Sequence, residues 1–306
     1  MAVTVSERDI LQILERDGPQ TGAELADQTR AEPLALWRLC RGCADIQFEI
    51  VGRRYLRLDR AVEGYARLSP SIRREFLTYT LLGLARSSEF VEERAAQLRL
   101  ELTRISRFKF DLARQTMESV VSELPDGEIV LAKACFIIAG DVTYGMSHVV
   151  PRPETSTGKM VRGSDLDIIV IGIDDLPEDA LKALDEAVYR KKHYLLVHPE
   201  HREEIDYVIK RMSRVREQLE FDTFKSMVAC KIMLEGQYLC GSEAVFRSVK
   251  DLVDQHGIPA RIADLEAQAV EARALAEKSL LEPAPDGSEG KYRNLFYTSE
   301  EDDEIA

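Results

Sequence analysis

Gly163-Ser164-Asp165-Leu166-Asp167-Ile168-Ile169-Val170-Ile171 is the stretch on which the fold turns. Ile168 to Ile171 are four consecutive β-branched apolar residues, the pattern of a buried strand, and two acids enter it directly after Gly-Ser. An acid-x-acid pair carries little by itself. Acids are 54 of 306 residues, so about ten such pairs arise by chance. The position is what counts, because carboxylates at the mouth of an apolar strand are not a solvated helix face. Residues two apart in a strand project from one face, about 6.6 Å apart along the chain, so Asp165 and Asp167 point the same way. Two such carboxylates repel, and in a partly desolvated site one protonates unless a cation compensates. Mg²⁺ answers that need, taking oxygen ligands at about 2.0–2.1 Å and sharing them with substrate phosphates.

A third carboxylate would complete a two-ion site. Glu204-Ile205-Asp206-Tyr207-Val208-Ile209 supplies it, since Ile205, Tyr207 and Ile209 alternate against Asp206. If this strand lies beside the first, Asp206 sits about 4.8 Å away laterally and faces the same way. Around these strands, Ile129 to Ala139 reads as a further buried strand, Asp141 to Arg162 as a long polar loop, and Leu176 to Lys191 as a helix opened by Pro177. Tyr194 to Val197 reads as a short strand. Helices follow at Thr223–Leu234, Glu243–Gln255 and Ile262–Leu281. Ser156-Thr157-Gly158-Lys159 hints at a phosphate loop but lacks its earlier glycine and its final Ser/Thr. Lys159 and Arg162 are read either as phosphate contacts or as solvated loop residues.

An apolar strand ending in a glycine turn, then a small residue with Asp-x-Asp on a strand, then a later strand with a central Asp, resembles the polymerase-beta-like nucleotidyltransferase superfamily. The resemblance covers about residues 128–242. It implies a mixed sheet flanked by helices and followed by a helical region. It also implies that Asp165 and Asp167 hold two Mg²⁺ ions (or Mn²⁺ in their place), and that Asp206 holds the one that activates the acceptor. In that family a Gly-Ser turn after the first strand cradles the triphosphate. Here the turn is Gly140-Asp141, so Gly140 takes that role, with Gly163 and Ser164 helping. Lys231, on an otherwise apolar helix, is read as neutralising the triphosphate or as a lysine whose stem lies on apolar surface.

The first 62 residues read as three short helices and a hairpin. Ser6 and Asp9 open a helix that buries Ile10, Ile13 and Leu14 and ends at Gly18-Pro19. Thr21 and Glu24 form a capping box, and Pro33 starts a third helix. Gln47–Ile50 and Arg53–Leu58 alternate around Val51-Gly52 as a hairpin does. This resembles a winged helix-turn-helix domain, which implies DNA contacts from Arg38, Arg41, Arg53, Arg54 and Arg57. The module is nearly neutral, so a protein-contact or structural role stays open. Residues 70–124 read as helical. Within them Val91, Ala95, Leu98, Leu102, Ile105 and Leu112 form a heptad seam interrupted by Lys109, which is either a homodimer face or a helix packed on its own protein.

The net charge of −13 argues against a chain coated in nucleic acid. No apolar run approaches the roughly 20 residues of a membrane helix, and no signal core opens the chain, so a cytoplasmic protein without membrane contact is expected. The five cysteines do not form a disulfide framework, and Cys40-x-x-Cys43 lacks a second pair for zinc. The expected fold class is α+β in five parts. Residues 1–62 are the winged helix, 63–125 a helical connector, 126–220 the catalytic core, 221–282 a C-terminal helical region and 283–306 a flexible acidic tail. The expected function is transfer of a nucleoside monophosphate from a nucleoside triphosphate, ATP by default, to a protein, RNA or small-molecule acceptor. The alternative is a DNA-binding regulator whose second domain senses nucleotides or is degenerate.

Overall fold

Capping chemistry starts the chain as the sequence predicts. In the computed structural model, which describes residues 5–154, 157–282 and 294–296, Ser6 and Asp9 exchange side-chain and backbone hydrogen bonds at the head of α1 (Glu7–Asp17). Thr21 and Glu24 do the same for α2 (Gly22–Thr29). These reciprocal bonds satisfy amide groups that a helix N-terminus otherwise leaves open. α3 (Pro33–Gly42) begins with its proline in the first turn. Ile10, Leu14, Leu25, Leu36 and Trp37 of these helices meet in one core.

The fold is mixed α+β with small sheets, and it divides into two compact units, Met1–Glu101 with Leu265–Ala306, and Leu102–Asp264. These boundaries differ from the five-part division of the sequence, and the first falls inside a helix. In the first unit, β1 (Gln20–Thr21), β2 (Ile46–Ile50), β3 (Tyr55–Leu58), β4 (Ala66–Ser69), α4 (Ile72–Thr78) and β5 (Thr80–Leu84) follow in order. The expected hairpin of Gln47–Ile50 with Arg53–Leu58 does not form. β2 pairs with β5 and β3 with β4, both antiparallel, giving a three-stranded sheet in the order β1-β5-β2. The reason is β5. Leu81 and Leu82 are fully buried at the centre of that sheet, and a central strand shows a continuous apolar run rather than alternation. The same run made residues 80–84 read as helix.

α5 (Ser88–Ser122) carries the heptad seam. Val91 and Ala95 are fully buried, and Val91 lies against Gly83 of β5, so this stretch of the seam is covered by the chain itself rather than offered as a dimer face. Lys109 does not interrupt the stripe. It is a fully buried member of it, between Leu102 and Ala113. Of the tail, Asn294–Phe296 are described, and Phe296 is buried with its ring 6.0 Å from Trp37. The expected flexible acidic tail otherwise lies outside the described residues.

The second unit continues with α6 (Gly127–Lys133), β6 (Ala134–Ala139), α7 (Asp141–Tyr144), β7 (Pro151–Pro153), β8 (Met160–Arg162), β9 (Leu166–Gly172), α8 (Glu178–Val197), β10 (Ile205–Arg211), α9 (Met212–Gln218), α10 (Phe224–Glu235), β11 (Gln237–Gly241), α11 (Glu243–Gln255) and α12 (Ile258–Leu281), the last crossing back into the first unit. Four of these strands form one sheet in the order β10-β9-β6-β11. β9 is parallel to β10 and antiparallel to β6, and β11 is antiparallel to β6. Every residue of β6 is buried, as are all of β9 but Asp167, because helices cover both faces. Three expectations change here. Residues 127–133 are helix rather than the start of β6. Tyr194–Val197 is the last turn of α8, not a strand. The polar loop 141–162 contains a short helix and the antiparallel β7–β8 ribbon, whose turn holds Gly158-Lys159 and is no phosphate loop.

Candidate metal centre

Strand register brings the three acids together. Asp206 lies directly opposite Asp167 across the parallel pair, and Asp167 lies opposite Ala139 of β6. Partners in register share a face, and Asp165 precedes Asp167 by two residues on that face. One carboxylate oxygen of each lies within 4.8 Å of the others. Asp165 and Asp167 are half-buried and Asp206 is exposed. The site therefore sits where β6 ends and β9 and β10 begin.

Gly140 closes one wall. Its φ is 70°, and a Cβ there would overlap Oδ2 of Asp167. Only glycine lets the turn after β6 pass so close to that carboxylate. Gly163, with φ 59°, is required for a different contact, because a Cβ would overlap the carbonyl oxygen of His148.

Ser164 and Lys231 have partners within the fold. Ser164 is buried; its hydroxyl donates to Asp141 at 2.7 Å and accepts from the His148 amide at 3.3 Å. It ties the short helix after β6 to the start of β9. Lys231 is also buried, pairs with Glu235 and donates to the Tyr144 hydroxyl at 2.7 Å. Tyr144 donates in turn to Glu235. The Lys231 charge is thus matched within the fold and is not a lone cation awaiting phosphate.

Four residues not singled out as site members on the sequence surround the cluster. Glu204, two positions before Asp206, is buried beside it. Burial above all raises its carboxyl above the usual range; Arg152 opposes this, and Asp165, Asp206 and Glu154 add to it. Arg152 of β7 pairs with Glu204 at 2.8 Å and lies 3.8 Å from Asp165. Lys192 of α8 donates to Asp206 at 3.0 Å. Lys109 pairs with Glu203, whose carboxyl is raised chiefly by burial, against the pull of Lys109. Two of the four carried a sequence signal: Glu204 shares the strand alternation of Asp206, and Lys109 falls on the α5 stripe. Arg152 and Lys192 carried none. A groove of about 750 Å³ runs along the outer edge of β10, lined by Lys192, Tyr189, Tyr207, Val208 and Lys210 among others, and Lys192 joins it to Asp206.

In the first unit, the five candidate arginines diverge. Arg54 makes a two-pronged bond to Glu75, at 2.6 and 2.7 Å, and another to Glu277 at 2.7 Å. Arg273 bonds Glu277 at 2.8 Å and the Pro70 carbonyl at 2.9 Å. Arg38 donates to the Leu280 carbonyl. Arg41 lies 4.2 Å over the Phe48 ring. Arg53 is exposed and Arg57 half-buried. Arg54 and Arg38 are therefore engaged in internal bonds, while Arg41 and Arg53 reach solvent.

All five cysteines are free and buried. Among the described residues no helix is long and apolar enough to cross a membrane. No protein-family model, no curated protein and no solved structure matches the chain.

Proposed function

We propose that this chain is a metal-dependent nucleotidyltransferase, which moves a nucleoside monophosphate from a nucleoside triphosphate such as ATP to an acceptor hydroxyl. The observation that carries the proposal is the convergence of Asp165, Asp167 and Asp206 within 4.8 Å from two adjacent strands. The donor set fits divalent ions: three carboxylates, all oxygen ligands, with Gly140 leaving room for the Asp167 carboxylate. Asp165, Asp167 and Asp206 would hold the ions. Bound there, two Mg²⁺ ions would align the acceptor oxygen, offset charge at the α-phosphate and neutralise the leaving group. The acceptor oxygen bonds to the α-phosphorus, the bond to the β-phosphate oxygen breaks, and pyrophosphate departs. Asp206, the exposed member, takes the acceptor's proton. The sheet order β10-β9-β6-β11 with flanking helices supports the polymerase-beta-like reading.

The test is Mg²⁺-dependent release of pyrophosphate from ATP. Asp167→Ala is expected to lower the rate on the order of a thousandfold, about 4 kcal/mol of barrier. Equal rates in wild type and variant, or no release under any acceptor supplied, would end the proposal.

A second reading has its own support. The strand order β1-β5-β2, with α1 before β1 and α2 and α3 between β1 and β2, supports a winged-helix reading, with β3, β4 and α4 inserted in the wing. Of the five candidate arginines, Arg41 and Arg53 are exposed. On this reading the first unit binds DNA and the second senses nucleotides. A gel-shift series at about 50 mM salt, where phosphate contacts are strongest, tests it; the absence of any shift there removes DNA binding from the account.

A further inference from the structure

The start of β9 is gripped from two sides. Lys109 donates to the carbonyls of Arg162 and Ser164, at 2.8 and 2.7 Å. Arg152 donates to the carbonyl between them, that of Gly163, at 2.9 Å. Three successive carbonyls are thus taken by two cations from different elements, α5 and β7. The counter-ions are themselves successive: Lys109 pairs with Glu203, and Arg152 with Glu204 at 2.8 Å. All four side chains are buried or nearly so, with 1% and 4% exposure for the first pair and 13% and 8% for the second.

Glu203-Glu204 leads directly into β10, as Gly163-Ser164 leads into β9. The two backbones are also joined there, by bonds of 2.8 Å from Arg162 N to Arg202 O and 2.9 Å from Leu166 N to Glu204 O. Asp165 follows the first gripped segment and Asp206 the second. A buried charge without a partner is strongly disfavoured, and here Lys109 and Arg152 each join a glutamate of the β10 leader to carbonyls of the β9 leader. Slipping or parting the two leaders would pull each cation away from its carbonyls or from its glutamate.

We propose that Lys109 and Arg152 form a clamp that sets the spacing between Asp165–Asp167 and Asp206 before any ion binds, so that they are positioning residues for the metal centre. This rests on the metal-centre reading above and explains what the long segment before Asp165 does. Its ribbon returns Arg152 to the site.

The experiment is direct titration of Mn²⁺ against the full chain, following free Mn²⁺ by paramagnetic resonance, which needs no substrate or turnover. Two double variants are compared with wild type: Lys109→Met with Glu203→Gln, and Arg152→Met with Glu204→Gln. Each removes one positive and one negative charge and leaves no buried ion alone. Net charge at the site is unchanged, so a loss of affinity reports geometry. Residues that orient ligands typically contribute 10–100-fold to metal affinity, and each double variant is expected to bind about tenfold or more weakly. Arg152→Lys, which keeps the charge but not the fork that spans its partners, is expected to fall between wild type and the Arg152 double variant. Far-UV circular dichroism verifies folding, and Arg152→Lys carries the test if a double variant fails to fold. Wild-type affinity in either folded double variant, or in Arg152→Lys where that variant carries the test, overturns the clamp while leaving the metal centre standing. Wild type that takes up no Mn²⁺ overturns the metal centre, and the clamp with it.

Discussion

Two of the charge clusters among the described residues, one in each unit, differ in balance. In the first unit, Arg54 and Arg273 face Glu75 and Glu277, two of each sign, joined by bonds of 2.6–3.3 Å. In the second, Asp165, Asp167, Asp206 and Glu204 face Arg152 and Lys192. The first cluster is complete in itself and needs nothing from outside. Among the described residues, the second sets four acids against two cations at the mouth of a buried strand, where the surroundings screen charge poorly. A self-neutral network is explained by folding. An imbalanced one, whose members come from separate strands in register, is what the proposed cation would answer.

The comparison breaks first, and hardest, at Gly140. Gly140→Ala drives a methyl into the Asp167 carboxylate, so its pyrophosphate release is expected to fall about as far as that of Asp167→Ala, on the order of a thousandfold. A tenfold effect or less would mean that the turn is not part of the centre. Next is Glu75→Gln, which leaves Arg54 and Arg273 crowded around one remaining acid. It should cost about 3–5 kcal/mol of stability, read from denaturant unfolding, yet leave the rate of pyrophosphate release per folded molecule unchanged. A selective loss of rate would show that the two clusters are coupled.

Smaller effects sharpen the contrast. Burial pushes the Lys210 ammonium down to about 8, below the roughly 10.4 of an unfolded chain. Between those values the unfolded chain holds a proton that the folded one has released, so stability rises with pH through that window. Below pH 8 the buried charge opposes folding in full. Lys210→Met should therefore melt higher than wild type at pH 7, and the gap should narrow toward pH 10. A gap that widens with pH would reverse the sign. Smallest of all, Arg41→Ala removes an exposed contact with Phe48, expected to contribute about 0.5–1 kcal/mol; urea titration reads it.

Local chemistry was legible in the sequence. The capping boxes at Ser6 and Thr21, the buried run of β9 and the alternation of β10 all came from near neighbours, and so did the candidate trio. What was not legible depends on distant partners. Residues 80–84 look like helix until it is known that two strands flank them. Gln47–Ile50 has the right alternation but takes partners 30–36 residues away rather than the next strand along. Arg152 sits in a polar loop with nothing local to mark it, since its three partners lie 11 or more residues further along the chain. Ser164 and Lys231 were legible as polar residues in suggestive places, but not as groups already engaged by Asp141 and Glu235.

Among the described residues, the sheet of the second unit stops at β10, which has a strand on one side only. Asp206 therefore stands on a rim, while Asp167, one strand inward, is walled by neighbours on both flanks. Along that rim Val208 and Tyr189 are exposed, and neither supports the interior built from Ile168, Val170 and Phe136. Replacing them alters what meets the open border without disturbing the packed centre. Evolution, or a protein engineer, can alter what this border meets by rewriting its coastline and leaving the bedrock alone.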